Sequence, residues 1–179
     1  MFGLIKRWLG LHSFPPESLV IPYTDYPSKY VGVAETGDLF FITRPFHNTS
    51  NESREFVACY LFHPNGSLKE ALITELGTRA ELLGKQADIL PGNVAADNST
   101  SDAAIEAYLS QLGKVKYQDI RVKPWAVSRF GITFGLVPSI PEFEDDEEDY
   151  DDEDDEFYMI LEPGNYMAFM PPWDGDFDT

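Results

Sequence analysis

Apolar positions along this chain recur with two periods. Between Lys29 and Glu75 they come in short runs rich in aromatic and β-branched residues, KYVGVAE, DLFFITR, EFVACYLFH and SLKEALITE, whose lengths and compositions predict strands. Thr36-Gly37 separates the first two and Pro64-Asn65-Gly66 the last two, so each pair reads as a hairpin with a glycine available for positive φ. The unit is an antiparallel meander. Its central linker, PFHNTSNESRE, is polar and rich in Asn and Ser, and reads as a loop.

Helical spacing takes over next. TRAELLGKQADIL opens on Thr78 with Glu81 three positions on, the reciprocal capping pattern, although Gly84 weakens its interior. DAAIEAYLSQLG sets Ala104, Ile105, Tyr108, Leu109 and Leu112 on one face, with Ser101 as the expected N-cap and Gly113 as the residue past the end. A third, short helix is expected at the start, where Met1, Leu4, Ile5, Trp8 and Leu9 share a face opposite Lys6 and Arg7. Docking on the protein's own core is the expected use of that face, because the acidic body would be repelled by an anionic membrane. SFPPESLVIPYTDYPSKY, with four prolines in eighteen residues, reads as an extended connector.

Strand character returns in the last third. VKYQDIRVKPW alternates imperfectly, AVSRFGITFGLVPSIP and FYMILEPGNYMAFMPPW read as strands, and the chain ends in PPWDGDFDT after a turn at Pro163-Gly164-Asn165. The expected fold is α+β. One domain over residues 1–179 would carry an antiparallel sheet, made of the N-terminal meander and the C-terminal strands, with two or three helices packed on it.

Composition changes this picture at one place. Residues 142–156, EFEDDEEDYDDEDDE, hold thirteen carboxylates in fifteen positions, and setting these aside takes the formal net charge from −18 to −5. Neighbouring charges there lie well inside the Debye length of about 8 Å, so the run favours a solvated chain over helix or buried strand. Apolar strands flank it on both sides. It is therefore expected to be an internal, flexible loop joining two C-terminal strands.

That charge bears on partners. A phosphate backbone needs a basic footprint, which disfavours nucleic acid; a basic protein surface is the favoured partner. The electrostatic contact residues would be Glu144, Asp145, Asp146, Glu147, Glu148 and Asp149, followed by Asp151, Asp152, Glu153, Asp154 and Asp155. Five of the thirteen basic residues, Lys114, Lys116, Arg121, Lys123 and Arg129, precede the run and read as its internal counterweight. No apolar run reaches the eighteen residues that a membrane span needs, and the N-terminus carries no secretion pattern, so a cytoplasmic location is expected.

Candidate chemistry is sparse. His12, His47 and His63 stand singly, without metal-binding spacing, and read as loop-edge or hairpin residues. Cys59, the single cysteine, sits in the apolar run EFVACYLF and reads as inert core. Asp174, Asp176 and Asp178 have the spacing that begins a calcium loop, yet Gly175 is misplaced and no position-twelve Glu follows. No nucleophile elbow, phosphate loop or dinucleotide fingerprint occurs, and no cofactor is implied. Glu35, Asp38, Glu75 and Asp119 are the scaffold carboxylates available to a hydrolase, but nothing selects a pair. The leading reading is a non-catalytic acidic binding protein, of which an inhibitor or immunity-type protein is one form. Low-affinity divalent-cation binding by the acidic run is its variant, and a carboxylate or metal-assisted hydrolase with a pocket between sheet and helices is the alternative.

Overall fold

The computed structural model describes residues 14–87, 99–139, 157–164 and 166–179. Within the Pro-rich connector, Leu19–Ile21 forms strand β1. The meander follows as β2 (Tyr30–Ala34), β3 (Leu39–Thr43), β5 (Ser53–Phe62) and β6 (Leu68–Thr78), with each successive pair antiparallel. The linker read as a loop is itself a hairpin arm. Phe46–Asn48, strand β4, pairs with Ser53–Glu55 on the same side of β5 as β3, and the Pro45 carbonyl accepts from Phe56 N at 2.9 Å across the break. Arg44-Pro45 thus interrupts one long strand instead of ending it, because proline lacks the donor the ladder needs.

Two helices are present among the described residues, α1 (Arg79–Ala87) and α2 (Ser99–Leu112). The capping box at α1 is formed: Thr78 N donates to Glu81 Oε2 at 3.0 Å and Glu81 N to Thr78 Oγ1 at 3.1 Å. Helix α2 starts two residues before the expected cap, so Ser101 lies inside its first turn. Its end is as expected, with Gly113 at φ 72°.

VKYQDIRVKPW, expected as one strand, divides into β7 (Val115–Tyr117) and β8 (Ile120–Val122). Strand β7 joins the edge of the meander beside β2, whereas β8 leaves it to pair with β1. AVSRFGITFGLVPSIP divides too, into β9 (Trp125–Arg129) and β10 (Ile132–Ser139) around a two-residue turn at Phe130-Gly131. Strands β11 (Tyr158–Glu162), β12 (Ala168–Phe169) and β13 (Phe177–Asp178) complete the described chain.

The expectation of one sheet is corrected to three. Among the described residues the six-stranded meander sheet runs β7-β2-β3-β5-β6, with β4 also on β5 along its β3 edge, the C-terminal strands form their own sheet β13-β12-β11-β10-β9, and β1-β8 is a separate pair. All pairings are antiparallel, so the fold is dominated by sheets with the helices as a minor layer.

Strand β5 explains the layering. Its run SREFVACYLF is apolar almost throughout because both faces are covered, and alternate residues go to opposite cores. Phe56, Ala58, Tyr60 and Phe62 face the C-terminal sheet; Val57 and Cys59 face α2, where Ile105 and Tyr108 cover them. The predicted helix stripe is therefore the one that packs. Aromatic rings join the two sheets: Trp125 meets Tyr60 at 5.0 Å and Phe62 at 4.9 Å, both edge-on, and Phe134 meets Phe56 at 5.1 Å. Each such fully buried side chain contributes roughly 1.5–3 kcal/mol. That makes this interlayer core the main source of stability.

Candidate functional site

The acidic run is mounted on the C-terminal sheet. Ser139 ends β10 and Tyr158 begins β11, and the two are direct partners across the ladder. All eleven expected contact residues, from Glu144 to Asp149 and from Asp151 to Asp155, lie outside the described residues, as do Met1, Leu4, Ile5, Trp8, Leu9 and His12. Beside the mount, the Phe157 ring stands 4.9 Å from Phe14, which stacks 6.2 Å from the buried Trp173. The run thus returns to the sheet at an aromatic cluster.

A second feature lies towards the opposite end of β11. The chain turns at Pro163-Gly164 and brings Tyr166 back against Phe46, with ring centroids 6.3 Å apart and nearly parallel. Gly164, at φ 101°, permits this approach, since a Cβ there would lie 3.1 Å from the Phe46 carbonyl oxygen and 3.2 Å from both rings. The hydroxyls of Tyr166 and Thr43 share a hydrogen bond. Burial pushes the Tyr166 phenol well above its ordinary pKa, and the Thr43 bond pulls weakly the other way.

These rings form one wall of a cleft of about 480 Å³. The connector supplies further lining residues. Ser28, fully buried, donates to the Pro22 carbonyl at 2.5 Å and shares a 2.9 Å hydrogen bond with Thr24, a local closure that presents Asp25, Tyr26 and Pro27 at the rim. Tyr30 and Ile42 line the interior. The Lys29 ammonium stands 5.4 Å from the Tyr30 ring centroid, and Arg44, at the strand break, is ion-paired with Asp102 in the first turn of α2. Two cations and one carboxylate thus line the cleft.

The scaffold carboxylates are occupied separately. Asp38 takes Lys69 at 2.6 Å and Thr36 at 3.0 Å, Glu75 takes Arg54 at 2.8 Å, Asp119 accepts from Tyr23 N at 2.8 Å, and Glu35 accepts from Lys114 N at 3.4 Å. Each of the four is engaged by a different partner. His47 lies in β4, and His63 closes the β5–β6 turn, its N–H donating to the Ser67 carbonyl at 2.9 Å. The Cys59 thiol is buried on the helix side, and burial pushes its pKa up to about 12, so it is no nucleophile at neutral pH. Asp178 is a β13 residue, with Trp173 buried before it. Among the described residues no group of three His, Cys, Asp or Glu side chains is placed to hold a metal ion, and no helix is long and apolar enough to cross a membrane.

The five basic residues read as a counterweight are scattered. Arg121 donates to Ser18 Oγ at 3.4 Å and Arg129 to the Ser128 carbonyl at 2.9 Å, while the ion pairs formed among the described residues are Arg44–Asp102, Arg54–Glu75 and Lys69–Asp38. The cleft itself was not predicted. Its one local signal was Arg44-Pro45, a charge and a proline breaking an apolar strand; nothing in the sequence joins residues 25–30 to Tyr166. No protein-family model, curated protein or solved structure matches the chain.

Proposed function

We propose that this chain is a non-catalytic binding protein that presents residues 142–156 to a basic protein surface. The reading rests on the mount: Ser139 and Tyr158 pair directly, so a hairpin that two to five residues ordinarily close carries a much longer and mostly acidic connection. A sheet packed through aromatic rings onto a second sheet gives that charge a firm base. The scaffold carboxylates outside the run offer less for catalysis, because Glu35, Asp38, Glu75 and Asp119 are each engaged by a different partner and catalysis requires groups preorganised together. An inhibitor that masks a basic binding face fits the same chemistry.

The experiment is affinity capture from lysate with the intact chain and with a variant carrying Ser and Gly in place of residues 142–156, each at low and high salt. Capture of a basic protein by the intact chain alone, fading as the screening length falls from about 10 Å at 0.1 M to about 3 Å at 1 M salt, is the expected result. Equal capture by the variant overturns it. A calcium titration of both proteins separates the divalent-cation reading from this one.

A further inference from the structure

We propose that the cleft between Tyr26 and Tyr166 binds a small aromatic anion, a flat ring system carrying one carboxylate. Size comes first: about 480 Å³ falls within the roughly 300–1,000 Å³ of small-ligand sites. The shape of the walls suits a flat body. Phe46 and Tyr166 are held nearly parallel to one another, and Tyr26 stands at the rim 82% exposed, an aromatic surface that a bound ring would cover.

Donor chemistry decides the rest. Lys29 and Arg44 against Asp25 give the lining residues a formal charge of +1, and Asp102, bound to Arg44, brings the site as a whole to neutral in a chain of −18. A quaternary ammonium, the usual guest of an aromatic box, would meet two cations and is disfavoured. Arg44 suits a carboxylate better than Lys29 does, because its guanidinium carries five donors in a planar fork and the Asp102 bond engages Nη2. Asp102 acts as a positioning residue, since it fixes the fork at the cleft. The Thr43 and Tyr166 hydroxyls bond one another, which leaves the two cations as the main recognition groups.

The test is a titration of the full chain with 2-naphthoate and with its neutral counterpart 2-naphthamide, followed by the backbone amide resonances of Ile42, Thr43 and Phe46. At about 0.15 M salt, charges farther than about 8 Å are screened, so distant acidic residues contribute little. The naphthoate is expected to shift these resonances and the amide to bind about ten-fold more weakly, the loss of one charge-assisted contact. Arg44→Met is expected to bring naphthoate down to the amide's affinity, and Lys29→Met to weaken it several-fold. Tyr26→Ala, at a site too exposed to unfold the chain, should weaken both probes together. Equal affinity for acid and amide, shifts confined to other residues, or no shift at millimolar probe would each overturn the proposal. Because the variant lacking residues 142–156 keeps every lining residue, naphthoate binding by that variant separates this site from the acidic segment.

Discussion

Strand β11 joins two features of opposite kind. At its Tyr158 end arrives a run of thirteen carboxylates whose character comes from composition, with no local motif singling one residue out. Beyond its Glu162 end lies a cleft whose character comes from position, with residues of the connector, residues around the Arg44-Pro45 break and Tyr166 brought together from distant parts of the chain. On the proposed readings the first feature should tolerate exchange of any one member and the second should not. This difference is what substitutions can measure.

The largest expected effect is at Tyr166. Tyr166→Ala removes a ring stacked on Phe46 and strands the Thr43 hydroxyl, and should cost about 2–3 kcal/mol, which for a chain of this size lowers Tm by roughly 5–10 °C. Replacing all of residues 142–156 should change Tm by less than that single truncation, because Ser139 and Tyr158, the ladder residues on either side of it, already pair with one another. Thermal denaturation of the two variants side by side is the check. A greater loss from the replacement would mean that the run is part of the packed structure. One step down, Tyr166→Phe should cost about 1 kcal/mol, and Thr43→Val added to it should cost little more, since the two hydroxyls serve each other. Additive losses in that double-mutant cycle would show separate roles. Asp149→Asn should alter affinity for a basic partner by less than about five-fold at physiological salt, as exposed pairs are worth about 0–1 kcal/mol.

The same contrast explains what could be read from the sequence. The meander, the capping box at Thr78 and the buried stripe of α2 each depend on neighbours within a few positions, and each is present as expected. Strand β5 was legible as an apolar run. That its alternate residues feed two different cores was not, because periodicity cannot say what covers a face. The missed β9–β10 hairpin has a sharper cause. Its turn places Phe130 at φ 55°, where Asn or Gly is the usual choice, and the Phe130 ring stays 49% exposed while stacking on Phe56. Helix α2 begins among Ser99, Thr100, Ser101 and Asp102, four successive residues able to cap, so composition could not fix its first turn. The cleft was illegible for the most general reason: its parts are distant in sequence, and only the layered fold brings them together.

The smallest effect separates two described carboxylates by the sign of their pH dependence. Asp38 is held below its ordinary pKa, first by the hydrogen bond from Lys69 and then by Thr36 and the Lys69 charge, against a modest cost of burial. The folded state therefore gives up this proton more readily than the unfolded chain does. Its contribution is present above the unfolded value of about 4 and is lost as pH falls through the lower folded value. Glu162, near the cleft, is shifted the other way: burial raises its pKa, and the nearby His47 offsets this in part. Its contribution is complete below the unfolded value and is lost as pH rises through the folded one. Lys69→Met should accordingly destabilise the protein at pH 7 by no more than about 1 kcal/mol, the Lys69 side chain being 43% exposed, with the deficit vanishing towards pH 3. Glu162→Gln should gain stability relative to the parent as pH rises from 3 to 7. Thermal unfolding of the three proteins across that range is the measurement. Parallel pH profiles for the parent and Glu162→Gln would mean that the carboxylate at the cleft end of β11 is freely solvated, and the contrast between the two ends would lose its electrostatic half.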